Sequence, residues 1–192
     1  MSRAIRFGTL FPKHLNLNGD QANLLALVVR AEAYAGNCRV ESITNKESLD
    51  FDLIFVGHGS KAAWSDIETK QPELIAAVAN EIKNGRKVMA VGSGYLKLAT
   101  ELGLEMNSGE HRSEFLNVDG IVGYVNSDSQ LEPIQRINNA FLTLLHGPLL
   151  VKNPELADSL LGELGFDLAK KPAYLKELDE LASASRRIAF EN

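Results

Sequence analysis

Residues 87–95, Lys-Val-Met-Ala-Val-Gly-Ser-Gly-Tyr, read as a short buried strand, a glycine-rich turn and the start of a helix, which is where a nucleophile elbow would sit. A reactive residue on such a turn needs small residues two places before and two places after it, because backbone and side chain crowd there. Centred on Gly92 these flanks are Ala90 and Gly94, both small; centred on Ser93 they are Val91 and Tyr95, both bulky. The spacing selects Gly92. A glycine attacks nothing and adopts positive φ without steric cost, so the turn has lost its strain together with its chemistry. Two further places bear on the same chemistry: the loop Gly57-His58-Gly59-Ser60, and His146 in Leu145-His146-Gly147-Pro148. His146 is the type of residue that serves as general base for an elbow nucleophile, but with Gly92 at the centre it has nothing to deprotonate. Ser93 and Cys38 are the substitutes to weigh. Ser93 fails the spacing test, and a free cysteine is usually a small buried hydrophobe.

The elements that would position these residues alternate. A strand over 4–11 leads to an amphipathic helix over 20–35, with Asp20 as its cap and Gly36 closing its last turn. A more polar strand over 39–44 suits a sheet edge, and the continuous apolar run 51–56 suits a strand covered on both faces. A helix over 72–84 then leads to the central strand 88–91 and the elbow. Such alternation implies parallel strands with right-handed crossovers, whose ligand sites lie beyond the carboxyl ends of the strands. Both glycine loops sit at such ends. Cys38 lies at the amino end of its strand, on the opposite edge. Over 103–138 the pattern weakens: one or two short strands are expected in 116–125 and a polar turn over 126–130. The apolar run 140–145 then brings His146 level with the elbow. Asn153-Pro154 caps and opens a helix to Gly162, and Pro172 opens a last helix to Phe190. In that helix Leu175, Leu178, Leu181 and Ala182 recur at helical spacing, which predicts a face buried against the chain's own sheet. The expected architecture is a single α/β domain over 1–192, three layers deep, with a mostly parallel sheet flanked by helices.

Composition narrows the function classes. No apolar run approaches the length of a membrane span and nothing at the N-terminus reads as a signal peptide, so a cytoplasmic protein is expected. The single cysteine precludes an internal disulfide, and the formal charge of -5 argues against nucleic acid as a partner. His14, His58, His111 and His146 are scattered and form no metal-ligand cluster, and no cofactor is expected.

Two segments carry a family resemblance. Leu15-Asn16-Leu17-Asn18-Gly19-Asp20-Gln21-Ala22-Asn23, followed by Arg30, resembles the opening motif Leu-Asn-Leu-Tyr-Gly-Asp-x-Gly-Asn of class I glutamine amidotransferases of the CobB/CobQ (cobyric acid synthase) type. Residues 145–158, from Leu145-His146-Gly147-Pro148 to Asp158, resemble the closing motif almost residue for residue. Within that group the chain is most similar to GatD-type glutaminase subunits of lipid II isoglutaminyl synthase. The resemblance implies a flavodoxin-like fold and hydrolysis of glutamine by an elbow cysteine. It also implies a Mur-ligase-like partner of the MurT type, which uses ATP to amidate the peptidoglycan stem peptide.

The departures concentrate where chemistry would be. The family's elbow reads Cys-Gly-Gly-Tyr-Gln; here it is Gly92-Ser93-Gly94-Tyr95-Leu96, so Gly92 stands at the nucleophile position. The family's run of three glycines is interrupted as Gly57-His58-Gly59, and its Gly-Phe-Glu-Asn-His segment becomes Gly123-Tyr124-Val125-Asn126-Ser127. By the resemblance, Gly57, Gly59 and Gly94 line the substrate pocket and Arg112 stands near the glutamine-binding arginine. The reading this favours is a degenerate amidotransferase subunit that binds or regulates its ligase, with His146 as a remnant base. Two alternatives stay open. One is a working glutaminase, or a small amide or ester hydrolase, using Ser93 or a nucleophile supplied in trans. The other is a flavodoxin-like module holding a small anion or nucleotide in its glycine loops. On this reading Gly92→Cys alone should restore activity if the pocket survives.

Overall fold

The computed structural model describes residues 4–34 and 36–191. Its central sheet has six strands in the order β2-β1-β3-β4-β8-β7: β1 (Ile5–Leu10), β2 (Cys38–Ile43), β3 (Leu53–Val56), β4 (Val88–Val91), β7 (Ile134–Ile137) and β8 (Ala140–Thr143). Every neighbouring pair is parallel except β7 with β8. The three central strands β3, β4 and β8 are buried at every residue, which is why they read as unbroken apolar runs, whereas β2 is largely accessible at its edge. Helices α1 (Gln21–Ala33), α2 (Lys61–Lys70), α3 (Leu74–Lys83), α4 (Ser93–Leu102), α5 (Leu149–Lys152), α6 (Pro154–Glu163) and α7 (Ala173–Glu191) flank the sheet. Apart from α7, their buried apolar residues join those of the strands in one hydrophobic cluster. The mostly parallel α/β architecture expected from the sequence is the one observed.

Four local expectations are corrected. Helix α2 was not expected at all; only Trp64 and Ile67 of its ten residues are buried, so its apolar stripe is too thin to stand out among the charges. The region after α4 is a long antiparallel hairpin, β5 (Ser108–Val118) with β6 (Ile121–Ser129), outside the main sheet. Its turn is at Asp119-Gly120, both at positive φ, and the polar stretch expected as a turn is strand up to Ser129. Asp20 and Asn153 do not cap their helices. The Asp20 carboxylate instead accepts from the Gly147 and Asn18 amides, and the Asn153 side chain bonds both backbone groups of Val122. Finally, of the apolar face expected on the last helix only Leu175 is fully buried; Leu178 and Leu181 are 49% and 67% exposed. Ala35, the expected end of the first helix, lies outside the described residues, but the Gly36 amide does close α1 by donating to the Ala31 carbonyl.

Candidate functional site

Strands β3, β4 and β8 run parallel side by side, so the loops that follow them converge. These loops carry His58, Gly92 and His146. Gly92 has φ 54° and ψ -123°, a conformation that an L side chain adopts only under strain. Its amide donates to the Thr143 carbonyl of β8. Two residues on, a Cβ built at Gly94 would lie 2.8 Å from the carbonyl oxygens of Val56 and Gly57, so the crowding that demands a small residue there is real. The backbone is that of an elbow with Gly92 at its apex.

What occupies the apex is His58. A Cβ built at Gly92 would overlap His58 Nδ1 and lie 3.0 Å from its Cγ. The Ser93 amide donates to the same Nδ1 at 3.0 Å. An amide nitrogen only donates, so Nδ1 must be unprotonated and the ring neutral with its proton on Nε2. The amide that follows an elbow nucleophile is the usual oxyanion donor of such turns. Here that donor is already spent. The imidazole therefore fills the space over Gly92 and engages the amide that follows it at once.

Ser93 is equally committed. Its hydroxyl accepts from Trp64 Nε1 at 2.7 Å and from the Gly59 amide at 2.9 Å, and donates to the Gly59 carbonyl at 3.0 Å. Among the described residues, no proton acceptor capable of general-base work is bonded to that hydroxyl. Its role is to clamp α2 and the glycine loop to the start of α4. Ser93→Ala is expected to lower stability by about 1–3 kcal/mol through the orphaned Trp64 and Gly59 donors. Denaturant unfolding against wild type measures this, and an unchanged midpoint would deny the clamp.

His146 faces the site from the far side. Its ring lies 5.2 Å from that of His58 between centroids and meets Tyr124 edge-on at 5.9 Å. Asn18 Nδ2 lies 3.1 Å from its Nδ1, and its amide donates to the Tyr124 carbonyl, tying the β5–β6 hairpin to the sheet. Burial holds both imidazoles below the ordinary histidine pKa of 6.5; the Asp20 carboxylate pulls each upward, and for His146 the neighbouring His58 and Lys152 push further down. Since the unfolded chain binds these protons more readily than the folded one, stability is complete above 6.5 and is lost as pH falls below it. Thermal unfolding between neutral and mildly acidic pH should show this fall. His58→Gln, whose carbonyl can still accept from Ser93, should flatten it, and an equal slope in both proteins would assign the effect elsewhere.

The remaining candidates are placed as follows. A Cβ at Gly57 would overlap the Leu15 carbonyl oxygen, and one at Gly59 would lie 2.6 Å from Leu15 Cδ2, so both are glycine because the loop packs against the Leu15 segment. The Gly59 amide is taken by Ser93 and the His58 carbonyl by the Leu17 amide. Arg112 sits in β5 and donates through one terminal nitrogen to the Ser129 and Leu131 carbonyls. Cys38 opens β2 at the amino end of the sheet, and burial raises its thiol pKa. Sequence reasoning missed Trp64, which lies outside every motif read there, and the joint role of Asn18 and Asp20 in fixing the His146 loop. Among the described residues, no group of three or more His, Cys, Asp or Glu side chains could hold a metal ion. A cleft of about 950 Å³ lies elsewhere, between the hairpin turn and α6 and α7, and its lining includes none of the elbow residues.

The fold recurs in solved structures. The chain superposes on a glutamine amidotransferase from Thermotoga maritima with TM-score 0.53, covering 98% of this chain and 94% of that one at 12% identity. On PurLQS from the same organism the TM-score is 0.51, covering 84% of this chain and all of that one at 13% identity. The fold is shared with glutamine amidotransferases. In sequence, the chain is 27% identical to subunit GatD of the glutamine-hydrolysing lipid II isoglutaminyl synthase of Staphylococcus aureus (strain N315), across 88% of this chain and 87% of that subunit. No protein-family profile matches. Among the described residues, no helix is long and apolar enough to cross a membrane.

Proposed function

We propose that this chain is a glutamine amidotransferase-type subunit that has given up glutamine hydrolysis and serves to bind or regulate a ligase partner. The observation that carries this reading is the His58 contact: one imidazole accepts the Ser93 amide and fills the space over Gly92. An active member would need three things at this point: a thiolate, room for it, and a free amide to receive the developing oxyanion. All three are lost together. Loss of the nucleophile alone commonly costs about six orders of magnitude. His146 remains as a base with no nucleophile to deprotonate.

The similarity to GatD supports a partner of the Mur-ligase-like MurT type and a role in lipid II amidation on the cytoplasmic side. The subunit would stabilise or tune that ligase, which would draw on free ammonia. Neither competing reading finds support in the geometry. A hydrolase using Ser93 needs a free hydroxyl within reach of His146, and the hydroxyl is fully engaged within its clamp. An anion cradle in the first glycine loop needs free amides, and the Gly59 amide is spent.

The test is glutamine-dependent ammonia release by the purified chain, alone and with a co-expressed Mur-ligase-like protein. We expect none in either case, with ligase amidation supported by ammonium. Release by wild type that His146→Ala abolishes would overturn the proposal and require another nucleophile, on this chain or its partner.

A further inference from the structure

The cleft of about 950 Å³ beside the hairpin turn takes no part in the elbow, yet three guanidiniums converge on it. Arg136 comes from β7, Arg186 and Arg187 from α7. On α7 Ser183, Arg186 and Arg187 fall at i, i+3 and i+4, so one face of the helix delivers them together. Two of the three arginines are held in place. Arg136 lies over the Phe141 ring at 5.0 Å and donates one N–H to Glu163 at 3.1 Å. Arg186 grips Glu155 through both terminal nitrogens at 2.9 and 3.0 Å and donates to Ser183 Oγ at 3.0 Å. Arg187 is exposed and, among the described residues, has no hydrogen-bond or ion-pair partner.

Donors in this cleft outnumber the groups that answer them. Arg136 spends one of its five N–H groups and Arg187 none. The carboxylates of the lining are Glu155, already bound to Arg186, and Asp119 at the tip of the hairpin. Asn117 adds a neutral donor, because its Oδ1 accepts the Gly120 amide at 2.9 Å and its Nδ2 is left over. The start of α6 contributes in the same sense: Asn153 turns its side chain to Val122 instead of capping, so the positive end of this ten-residue helix opens on the cleft. Only Glu155 offsets it in the first turn. Glu155 and Glu163 are both open to solvent, and ion pairs of that kind are weak enough to make room for a stronger acceptor. Planar guanidiniums take phosphate oxygens two at a time, which is the acceptor this wall suits. A metal cation would meet three positive side chains and a single uncommitted carboxylate.

We propose that the cleft binds the phosphate or diphosphate group of a small ligand, with its oxygens on Arg136 and Arg187. Arg186 keeps Glu155 occupied at the edge of the site. The cleft is separate from the glycine loops, since none of His58, Gly92 or His146 lines it, so this binding does not depend on the state of the elbow.

Calorimetric titration of the full chain with inorganic diphosphate at low salt tests this. Wild type should show saturable one-to-one binding with Kd of about 1 mM or below. Arg187→Gln and Arg136→Gln should each weaken it roughly tenfold, and their thermal midpoints without diphosphate should match wild type because both side chains are exposed. Asp119→Asn should tighten binding severalfold by removing the opposing charge, and asparagine tolerates the φ of 51° at that position. Lys13→Gln, outside the lining, should change nothing. The proposal is overturned by an absence of saturable binding up to about 10 mM, or by an affinity that Arg187→Gln leaves intact. A loss in Lys13→Gln equal to that in Arg187→Gln would also overturn it, as general attraction to positive charge. So would weaker binding in Asp119→Asn, since the site would then be built around the carboxylate.

Discussion

Gly92→Cys on its own is expected to leave the chain unable to hydrolyse glutamine, whereas Gly92→Cys combined with His58→Gly is expected to release ammonia from it. The single substitution puts a Cβ into the His58 imidazole and a side chain onto a backbone at φ 54°. The strain at such a φ/ψ is about 1–3 kcal/mol and the overpacking a similar amount, so the variant should be markedly less stable and still blocked. This revises the simplest expectation from the sequence, in which only the nucleophile was absent. His58→Gly removes the overlap, frees the Ser93 amide and gives the run of three glycines that the family resemblance calls for. His146 is already held across the site by Asn18 and the Tyr124 carbonyl. An ammonia assay on both variants, with thermal unfolding alongside, decides the matter. Activity and wild-type stability in the single variant would mean that His58 is no obstacle. A folded but inactive double variant would mean that glutamine recognition has gone as well, leaving partner binding as the retained role.

Arg30→Met should be the most damaging substitution away from the elbow. Arg30 is 6% exposed and its guanidinium bonds Asp158 at 2.6 and 2.8 Å and Asp179 at 2.8 Å, while Lys171 pairs with both carboxylates. Burial opposes the charge on Arg30, yet the bonds from Asp158 and Asp179 outweigh it and hold its pKa above the ordinary value. The Asp158 carboxyl is likewise disfavoured by burial but held below its usual range by Arg30 and Lys171. Removing one partner from such a cluster costs about 3–5 kcal/mol, because the remaining buried charges lose their compensation. Chemical denaturation should show that loss. Replacing Arg30, Asp158 and Asp179 together by apolar residues should recover much of it; a loss below about 1 kcal/mol in Arg30→Met would reduce the cluster to an ordinary surface pair.

The sequence made the elbow side of the fold legible because its signals are local. Strands β3, β4 and β8 are unbroken apolar runs, and the elbow announces itself through small residues two places either side of Gly92. What was not legible depends on partners far along the chain. Asp20 looks like a helix cap in any local window; that its carboxylate reaches Gly147 instead is written nowhere near it. The same holds for Asn153 and Val122. The spacing of Leu178 and Leu181 identifies a face, but not whether the chain itself covers it. His58 was visible as an interruption of a glycine run, while its bond to the Ser93 amide required the fold.

Helix α1 carries a consequence for synthesis. Its buried polar groups are satisfied almost entirely by the last third of the chain: Asp20 by the Gly147 amide, Asn23 by the Gly147 carbonyl and Leu150 amide, and Arg30 by Asp158 and Asp179. Contacts of such sequence separation are slow to form, since the entropy of closing the intervening loop is lost before they reward it. On the ribosome, a nascent chain that already contains the whole first half of the sheet therefore still holds three polar side chains without their native neighbours. Native docking of this helix waits for the final residues to emerge, and an interrupted product would be an open substrate for chaperones and proteases rather than a smaller folded protein.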